Sequence, residues 1–295
     1  MPAVGRDLRP RCGSRPASAR VPGRRHLRRR DAGGAAAARS GARGRRGGGS
    51  VEWTGRMNAP RPVRAVFFDV DFTLIHPGPR FLGPGYAATC ETHGVAVDAS
   101  SFEAAVTHAL PMLDDVADPL YDHALFIDYT AAIIERMGGT GDGVRTAAAE
   151  IYEDWATNHH FDLYDDVHDV LPALAARGLT LGVISNSHRS LEAFTEHFAL
   201  DRYVRTHVSA HPNRYMKPHP SIFEAALASA GVTAGEAVMV GDSLKADVRG
   251  ALNVGMRAVW LRRSGDDSAE RPSHVPMIRR LHDLPALLDV EPSAR

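Results

Sequence analysis

The chain predicts a doubly wound α/β fold, a parallel sheet covered by helices on both faces, with an all-helical module inserted after the first strand. Three observations predict it. After residue 166, short apolar runs alternate with helical stretches, the rhythm of a parallel sheet with crossover helices. The run Ala65-Val66-Phe67-Phe68 leads straight into Asp69, as a buried strand does when its carboxyl end carries the chemistry. Between these regions, residues 86–165 show helical periodicity and no convincing strand.

The totals set the frame. A chain of 295 residues makes one or two domains, and a hydrophobic content of 44% is ample for a sizeable core. The net charge of zero hides an asymmetry, because residues 1–56 hold fifteen arginines against three acids, Asp7, Asp31 and Glu52. Twenty of the 35 basic residues and 32 of the 35 acidic ones remain, so the body of the chain is acidic, at −12. Such a body has no electrostatic footprint for nucleic acid. Two cysteines, Cys12 and Cys90, allow no disulfide framework and no CxxC metal site, and a reducing cytoplasm is the expected compartment. No apolar run approaches the roughly 18 residues of a membrane span, so no membrane partner is expected. Only two of the basic residues are lysines, Lys217 and Lys245, in a chain otherwise biased to arginine. A lysine kept against that bias points to a compact site where a guanidinium will not serve.

Taken in order, residues 1–56 are a low-complexity Arg/Gly/Ala-rich tail, expected to be disordered. A transit peptide and a nucleic-acid-binding arm are open readings. A twin-arginine signal is rejected because no apolar segment follows. The favoured reading is translated upstream sequence, with the working protein starting at Met57. Residues 63–75 make the first strand and its acidic loop, and Pro77, Gly78, Pro79, Gly83, Pro84 and Gly85 make a turn-rich segment. Helices are expected over Tyr86–His93, Ala99–Leu110 and Val144–Asn158, with a long amphipathic one through Leu120, Ala124, Ile127, Ala131 and Ile134. Helix His168–Arg177 then precedes strand Leu179–Ser185, and helix Ser190–Phe198 precedes strand Val204–Ser209. Helix Ser221–Ala230 precedes strand Ala237–Val240, and helix Leu244–Asn253 precedes strand Ala258–Leu261. The expected division is a core of 57–76 with 166–295, and a helical module of 77–165.

Ligands of such sheets lie beyond the carboxyl ends of the strands. The first strand delivers Asp69 and Asp71, which an extended chain would turn to one face. An acidic turn after a core strand is the alternative reading of that pair. The second strand ends Ile184-Ser185-Asn186-Ser187, a hydroxyl and main-chain N–H groups beside a helix start, suited to an anion. Lys217-Pro218-His219-Pro220-Ser221 opens the next helix, and the fourth strand ends Gly241-Asp242-Ser243, with Asp247 five positions beyond Asp242. Carboxylates gathered without His or Cys suit a hard cation such as Mg²⁺, and a hydroxyl, a lysine and helix N-termini suit phosphate.

Asp-Val-Asp-Phe-Thr-Leu, Ile-Ser-Asn-Ser, Lys-Pro-His-Pro-Ser-Ile-Phe and Gly-Asp-Ser-Leu-Lys-Ala-Asp, in this order over about residues 63–262, resemble the four motifs of the haloacid dehalogenase-like (HAD) hydrolase superfamily. The helical module is similar to the cap of its subfamily I. The resemblance implies a Rossmann-like core and Mg²⁺-dependent hydrolysis of a small phosphorylated metabolite. Asp69 would be the nucleophile, forming an aspartyl-phosphate and ligating the metal. Asp71 would be the acid and base, its carbonyl also on the metal. Thr73 would fix the loop and, with Ser185, Asn186 and Lys217, hold the phosphoryl group. Asp242 would complete the metal ligands, and Asp247 would support Lys217 or a metal-bound water. Many family members have Gly where this chain has Phe72. The role implied there is a backbone N–H, and the ring is expected to narrow the cleft or touch the cap.

Family dehalogenases generally lack an acid at the position of Asp71, so its presence points to phosphate esters. The family's phosphonate hydrolase needs a cap lysine, and residues 76–165 contain none. A phosphomutase and a non-catalytic binding module remain the alternatives. Arg80, His123 and Arg136 are candidates to read the leaving group. His159, His160 and Lys245 are expected at the surface, Trp53 in the tail, and Trp155 in cap packing.

Overall fold

A computed structural model describes residues 62–114, 119–264 and 272–289; the tail 1–56, Met57 and Trp53 lie outside them. Among the described residues there are eight strands: β1 (Ala65–Phe68), β2 (Ile75–Pro77), β3 (Phe161–Leu163), β4 (Thr180–Ser185), β5 (Val204–Ser209), β6 (Ala237–Gly241), β7 (Arg257–Leu261) and β8 (Met277–Ile278). Six of them form one parallel sheet in the order β5-β4-β1-β6-β7-β8. The order reverses at β1, which therefore lies between β4 and β6 and opens a crevice at its carboxyl end.

Side-chain alternation along the strands explains why both faces are covered. Val66 and Phe68 of β1, Val238 and Val240 of β6, and Val259 and Leu261 of β7 enter one apolar cluster. Ala65 and Phe67, Ala237 and Met239, and Ala258 and Trp260 enter a second cluster on the opposite face. Helices Val167–Ala176 and Leu191–His197 bury Leu171, Leu174 and Phe194 in the first cluster, and helix Pro220–Ala230 buries Ile222, Phe223 and Ala226 in the second. Neither face of the sheet could be wetted without exposing such a set.

Helices Gly83–Thr92, Phe102–Ala109, Pro111–Asp114, His123–Arg136 and Gly143–Asp154 lie between β2 and β3. The long helix begins at His123 rather than near Leu120, because the Asp122 side chain caps it by accepting from the Ala124 N–H at 2.9 Å. Leu120 instead makes a bridge to Tyr215, flanked by hydrogen bonds from Tyr121 N to Arg214 O and from Met216 N to Pro119 O, both 2.7 Å. The inserted helices are thus tied directly to the loop that carries Lys217.

Three elements depart from the sequence reading. The stretch without a convincing strand contains β3, which pairs antiparallel with β2 as a ribbon at the neck of the insert. Three residues are too few for a period to register, and their partner lies far away in sequence. β8 was not expected for the same reason. The span Leu244–Asn253 is a π-helix over Leu244–Arg249 followed by α-helix Gly250–Asn253, an irregularity characteristic of functional sites. Among the described residues, no helix is long and apolar enough to cross a membrane.

Phe67 is fully buried, and a Cβ on its sheet neighbour Gly182 would lie 2.7 Å from the Phe67 ring, so the space is closely matched. Phe67→Ala should lower unfolding free energy by about 3–5 kcal/mol in urea denaturation at unchanged slope.

Candidate active site

The acidic loop begins where β1 stops. Asp69 N–H still donates to Val240 O at 2.9 Å, after which the chain turns back and Val70 O accepts from Leu74 N at 2.8 Å and Ile75 N at 3.1 Å. Asp69 and Asp71 therefore lie on a turn and not on the alternating face of a strand. Phe72 sits in the left-handed region at φ +63°, a conformation that costs a non-glycine residue about 1–2 kcal/mol and accounts for glycine in many relatives. Its N–H donates to Ile75 O at 2.7 Å, so that group closes the turn and is not offered to a ligand, contrary to the expected role. The Thr73 carbonyl accepts from Arg263 at 2.7 Å. The Thr73 hydroxyl is fully enclosed, with no hydrogen-bond partner among the described residues, and so is not presented to a phosphate.

Lys217 is the centre of the arrangement. Its Nζ donates to Asp69 Oδ1 at 2.6 Å and to Ile184 O at 2.8 Å, and lies 2.7 Å from Asp247 Oδ1. It starts from a loop beyond β5, one strand removed from β1, so something must hold that loop inward. The Asn186 side chain does so, accepting from Lys217 N at 2.6 Å and donating to Lys217 O at 3.1 Å. Asn186 thus spends its amide on the lysine loop. Ser185 Oγ is buried, 3.0 Å from Ser187 Oγ, and accepts from Ser187 N at 3.2 Å.

Asp247 is buried by the π-helix. Ser243 caps that helix, accepting from Ala246 N at 3.0 Å, while its own N–H donates to Asp247 Oδ2 at 3.0 Å. A Cβ on Gly241 would fall 2.2 Å from the same oxygen, so only glycine admits Asp247 there. Asp242 is partly exposed, and its carbonyl accepts from the Trp260 indole at 2.8 Å.

Carboxylate oxygens of Asp69, Asp242 and Asp247 lie within 4.8 Å of one another. Burial raises the Asp69 pKa most, Lys217 pulls it part of the way back, and Asp247 and Asp71 raise it again, to about 7. Burial, then the charges of Asp69 and Asp247, hold Asp242 well above the usual carboxylate range. Burial opposes the Lys217 ammonium, but Asp247 and Asp69 outweigh it and raise its pKa. One ammonium does not neutralise three carboxylates, and the all-oxygen donor set fits a hard divalent cation.

Asp71 stands apart from that cluster. Its Oδ1 accepts from Arg189 Nη1 at 3.0 Å, and Arg189 Nη2 donates to Trp155 O at 2.7 Å. The guanidinium is fully buried, 4.4 Å from the centre of the Phe161 ring. Sequence reasoning missed Arg189; its signal was an arginine three residues after Asn186, just before the Ser190 cap. Also missed were Asp166 and Arg263, paired at 2.9 Å, which brace the loop at Thr73.

Of the cap candidates, Arg80 is taken up by Asp154, Glu150 and Thr89, while His123 and Arg136 are exposed. None of the three lines the cavity between insert and core, a space of about 370 Å³ running from Asp71 and Ser187 into the helices. Phe72 and Trp155 do line it, 6.4 Å apart, so the expected contact between Phe72 and the cap is present. Trp155 also packs on Phe81 at 4.5 Å. Lys245 and His159 are exposed, whereas His160 is half-buried edge-on to Phe81.

A sequence model of the haloacid dehalogenase-like hydrolases matches residues 125–261. The chain is 30% identical over 248 residues to the N-acylneuraminate-9-phosphatase of Rattus norvegicus, covering 77% of this chain and 94% of that protein. Among solved structures, a HAD phosphatase of Thermococcus onnurineus superposes with TM-score 0.54 at 27% identity, over 78% of this chain and 99% of that one. A 2-haloacid dehalogenase of Pseudomonas syringae superposes with TM-score 0.51 at 26% identity, over 77% and 98%.

Replacing Arg189 by methionine would leave Asp71 without its cation and the Trp155 carbonyl without its donor. The expected loss is about 3 kcal/mol or more of unfolding free energy, measured in urea.

Proposed function

The chain belongs to the haloacid dehalogenase-like hydrolase family, and from that premise we propose that it is a Mg²⁺-dependent phosphatase of a small phosphorylated metabolite, acting through an aspartyl-phosphate on Asp69. The observation that carries the reading is Asp71, a second carboxylate next to the nucleophile, held by Arg189 outside the lysine–carboxylate cluster. Dehalogenation expels a halide, which needs no proton. An alkoxide leaving group does need one, and on this reading Asp71 would give it.

Asp69 attacks phosphorus through Oδ2, because Oδ1 is committed to Lys217. As the P–O bond to the alcohol breaks, Asp71 delivers its proton to the leaving oxygen. Asp71 then takes a proton from the water that cleaves the acyl phosphate, returning Asp69 and releasing inorganic phosphate. The Lys217 ammonium offsets charge on the phosphoryl oxygens, and the Ser185 hydroxyl and the main chain at Asn186 orient them. Asp69 and Asp242, with the Asp71 carbonyl, would hold Mg²⁺, and Asp247 would anchor Lys217. The metal supplies the positive charge that lets a carboxylate approach an anionic ester. Residues 77–165 act as the cap that selects the leaving group, over a core of 57–76 and 166–295. The small cysteine count fits a reducing cytoplasm.

Release of p-nitrophenol from p-nitrophenyl phosphate should require Mg²⁺ and fall roughly a thousand-fold or more in Asp69→Asn. Metal-independent release, or an Asp69→Asn variant as fast as the parent, would sink the proposal. Asp71→Asn should slow an alkyl phosphate roughly a hundred-fold more than p-nitrophenyl phosphate, whose leaving group needs little protonation.

The Asp69 pKa also sets a pH dependence. Its folded value near 7 lies above the ordinary 3.8, so the metal-free fold loses this contribution to stability as pH rises from about 4 to about 7. Mg²⁺ competes with that proton, so the Mg²⁺-induced rise in melting temperature should grow up to about pH 7 and then level off. A shift independent of pH over that range would count against Asp69 as a ligand.

A further inference from the structure

The cavity above the aspartates has a composition that its position alone does not require. Its described lining is dominated by Phe72, Phe126, Ile133, Trp155 and other apolar or aromatic side chains; its polar members are Asp71, Glu103, Thr130, Asn186, Ser187 and His188, with no lysine or arginine. Several of its hydroxyls are already engaged: Tyr121 with Tyr152 at 2.5 Å, Thr130 donating to Phe126 O at 2.9 Å, and Ser187 Oγ accepting from Ser185 Oγ at 3.0 Å. Glu103, an exposed acid, is the other carboxylate on its wall. Two arginines adjoin lining positions in sequence, and both are taken up: Arg80 by Asp154 and Glu150, and Arg189 by Asp71 and the Trp155 carbonyl.

Resting on the phosphatase reading, we propose that the substrate is the phosphate monoester of a predominantly apolar alcohol, an arylalkyl or branched alkyl group of roughly a dozen non-hydrogen atoms at about 30 Å³ each, and not a sugar or sugar acid. A sugar would strand several hydroxyls against this wall without partners, and a sugar acid would place a carboxylate where no cation meets it. A buried polar atom is available to such a substrate. His188 Nε2 has no hydrogen-bond partner among the described residues, and its ring stacks on Tyr152 at 4.2 Å on the cavity wall. It is positioned on the segment that carries Asn186 and Arg189, and serves one hydrogen bond to the alcohol portion.

Phe72 is the second, independent observation. An aromatic residue stands in a left-handed conformation that glycine would occupy without strain, beside the nucleophile, 45% exposed and lining the cavity. The strain has a purpose if the ring forms the floor against which an apolar leaving group packs.

The test uses the full chain with Mg²⁺ and three esters of primary alcohols, so that leaving-group acidity does not decide the outcome. These are 2-phenylethyl phosphate, glucose 6-phosphate and N-acetylneuraminate 9-phosphate. The expected result is a kcat/KM for 2-phenylethyl phosphate about a hundred-fold above both others. Equal or better turnover of either sugar ester overturns the inference. Calorimetric titration of the same esters separates it from the phosphatase reading. Selective binding of 2-phenylethyl phosphate without turnover leaves the cavity assignment standing and the phosphatase reading refuted, and unselective binding overturns the assignment. Phe72→Gly, which relaxes the backbone, should hold or raise the melting temperature while lowering the preference for 2-phenylethyl phosphate at least about ten-fold. A folded Phe72→Gly protein with its preference intact would remove Phe72 from the argument and with it the assignment.

Discussion

The ammonium of Lys217, buried between Asp69, Asp247 and the Ile184 carbonyl, sets conditions that several distant parts of the chain must meet together. A charge taken out of water costs several kcal/mol unless it is paired and fully hydrogen-bonded. Asn186 must therefore grip the Lys217 peptide from the neighbouring strand end. Position 241 must lack a Cβ so that Asp247 can enter, and the following helix must widen into a π-turn to deliver it. Each of these features is local and otherwise unexplained; together they are what a compact cation needs.

The sheet order supplies the convergence. Because β1 is flanked by β4 and β6, the ends of three strands open onto one crevice, and only the lysine has to reach across an intervening strand. The reactive loop is then braced from two sides. Arg263 and Asp166 hold its base at Thr73, and Arg189 holds Asp71. Since Arg189 also donates to the carbonyl of Trp155, the second carboxylate is tied to the end of an inserted helix. The same insert meets the lysine loop through the Leu120–Tyr215 bridge, so both reactive loops contact it.

That linkage gives the apolar cavity its meaning. On the proposed reading, a phosphoryl group would be served by charges, whereas what it is attached to would meet aromatic rings. The rat relative is named for a sugar-acid phosphate, and among the described residues the lining here has no cation for such a carboxylate. Shared motifs fix how a phosphoryl group is handled, and the walls of the insert are free to differ.

By itself the sequence determined the elements whose signals are local. The apolar runs Ala65–Phe68 and Ala237–Val240, the acids that follow them, and a lysine retained in an arginine-biased chain were legible because burial and charge are written in residue type. The tertiary structure decided what depends on pairing between distant residues. It showed that Asp69 and Asp71 lie on a turn with separate partners and that the Thr73 hydroxyl is enclosed. It also placed Arg80 in ion pairs instead of the cleft, and it made a two-strand neck from two three-residue segments. It found Arg189, an unremarked arginine in sequence, as the buried partner of Asp71. A strand running into two carboxylates was readable as a candidate site only together with the lysine, hydroxyl and third carboxylate at the other strand ends. Which carboxylate joins the lysine and which joins the arginine is set by the sheet order and the insert, and no window of sequence contains both partners.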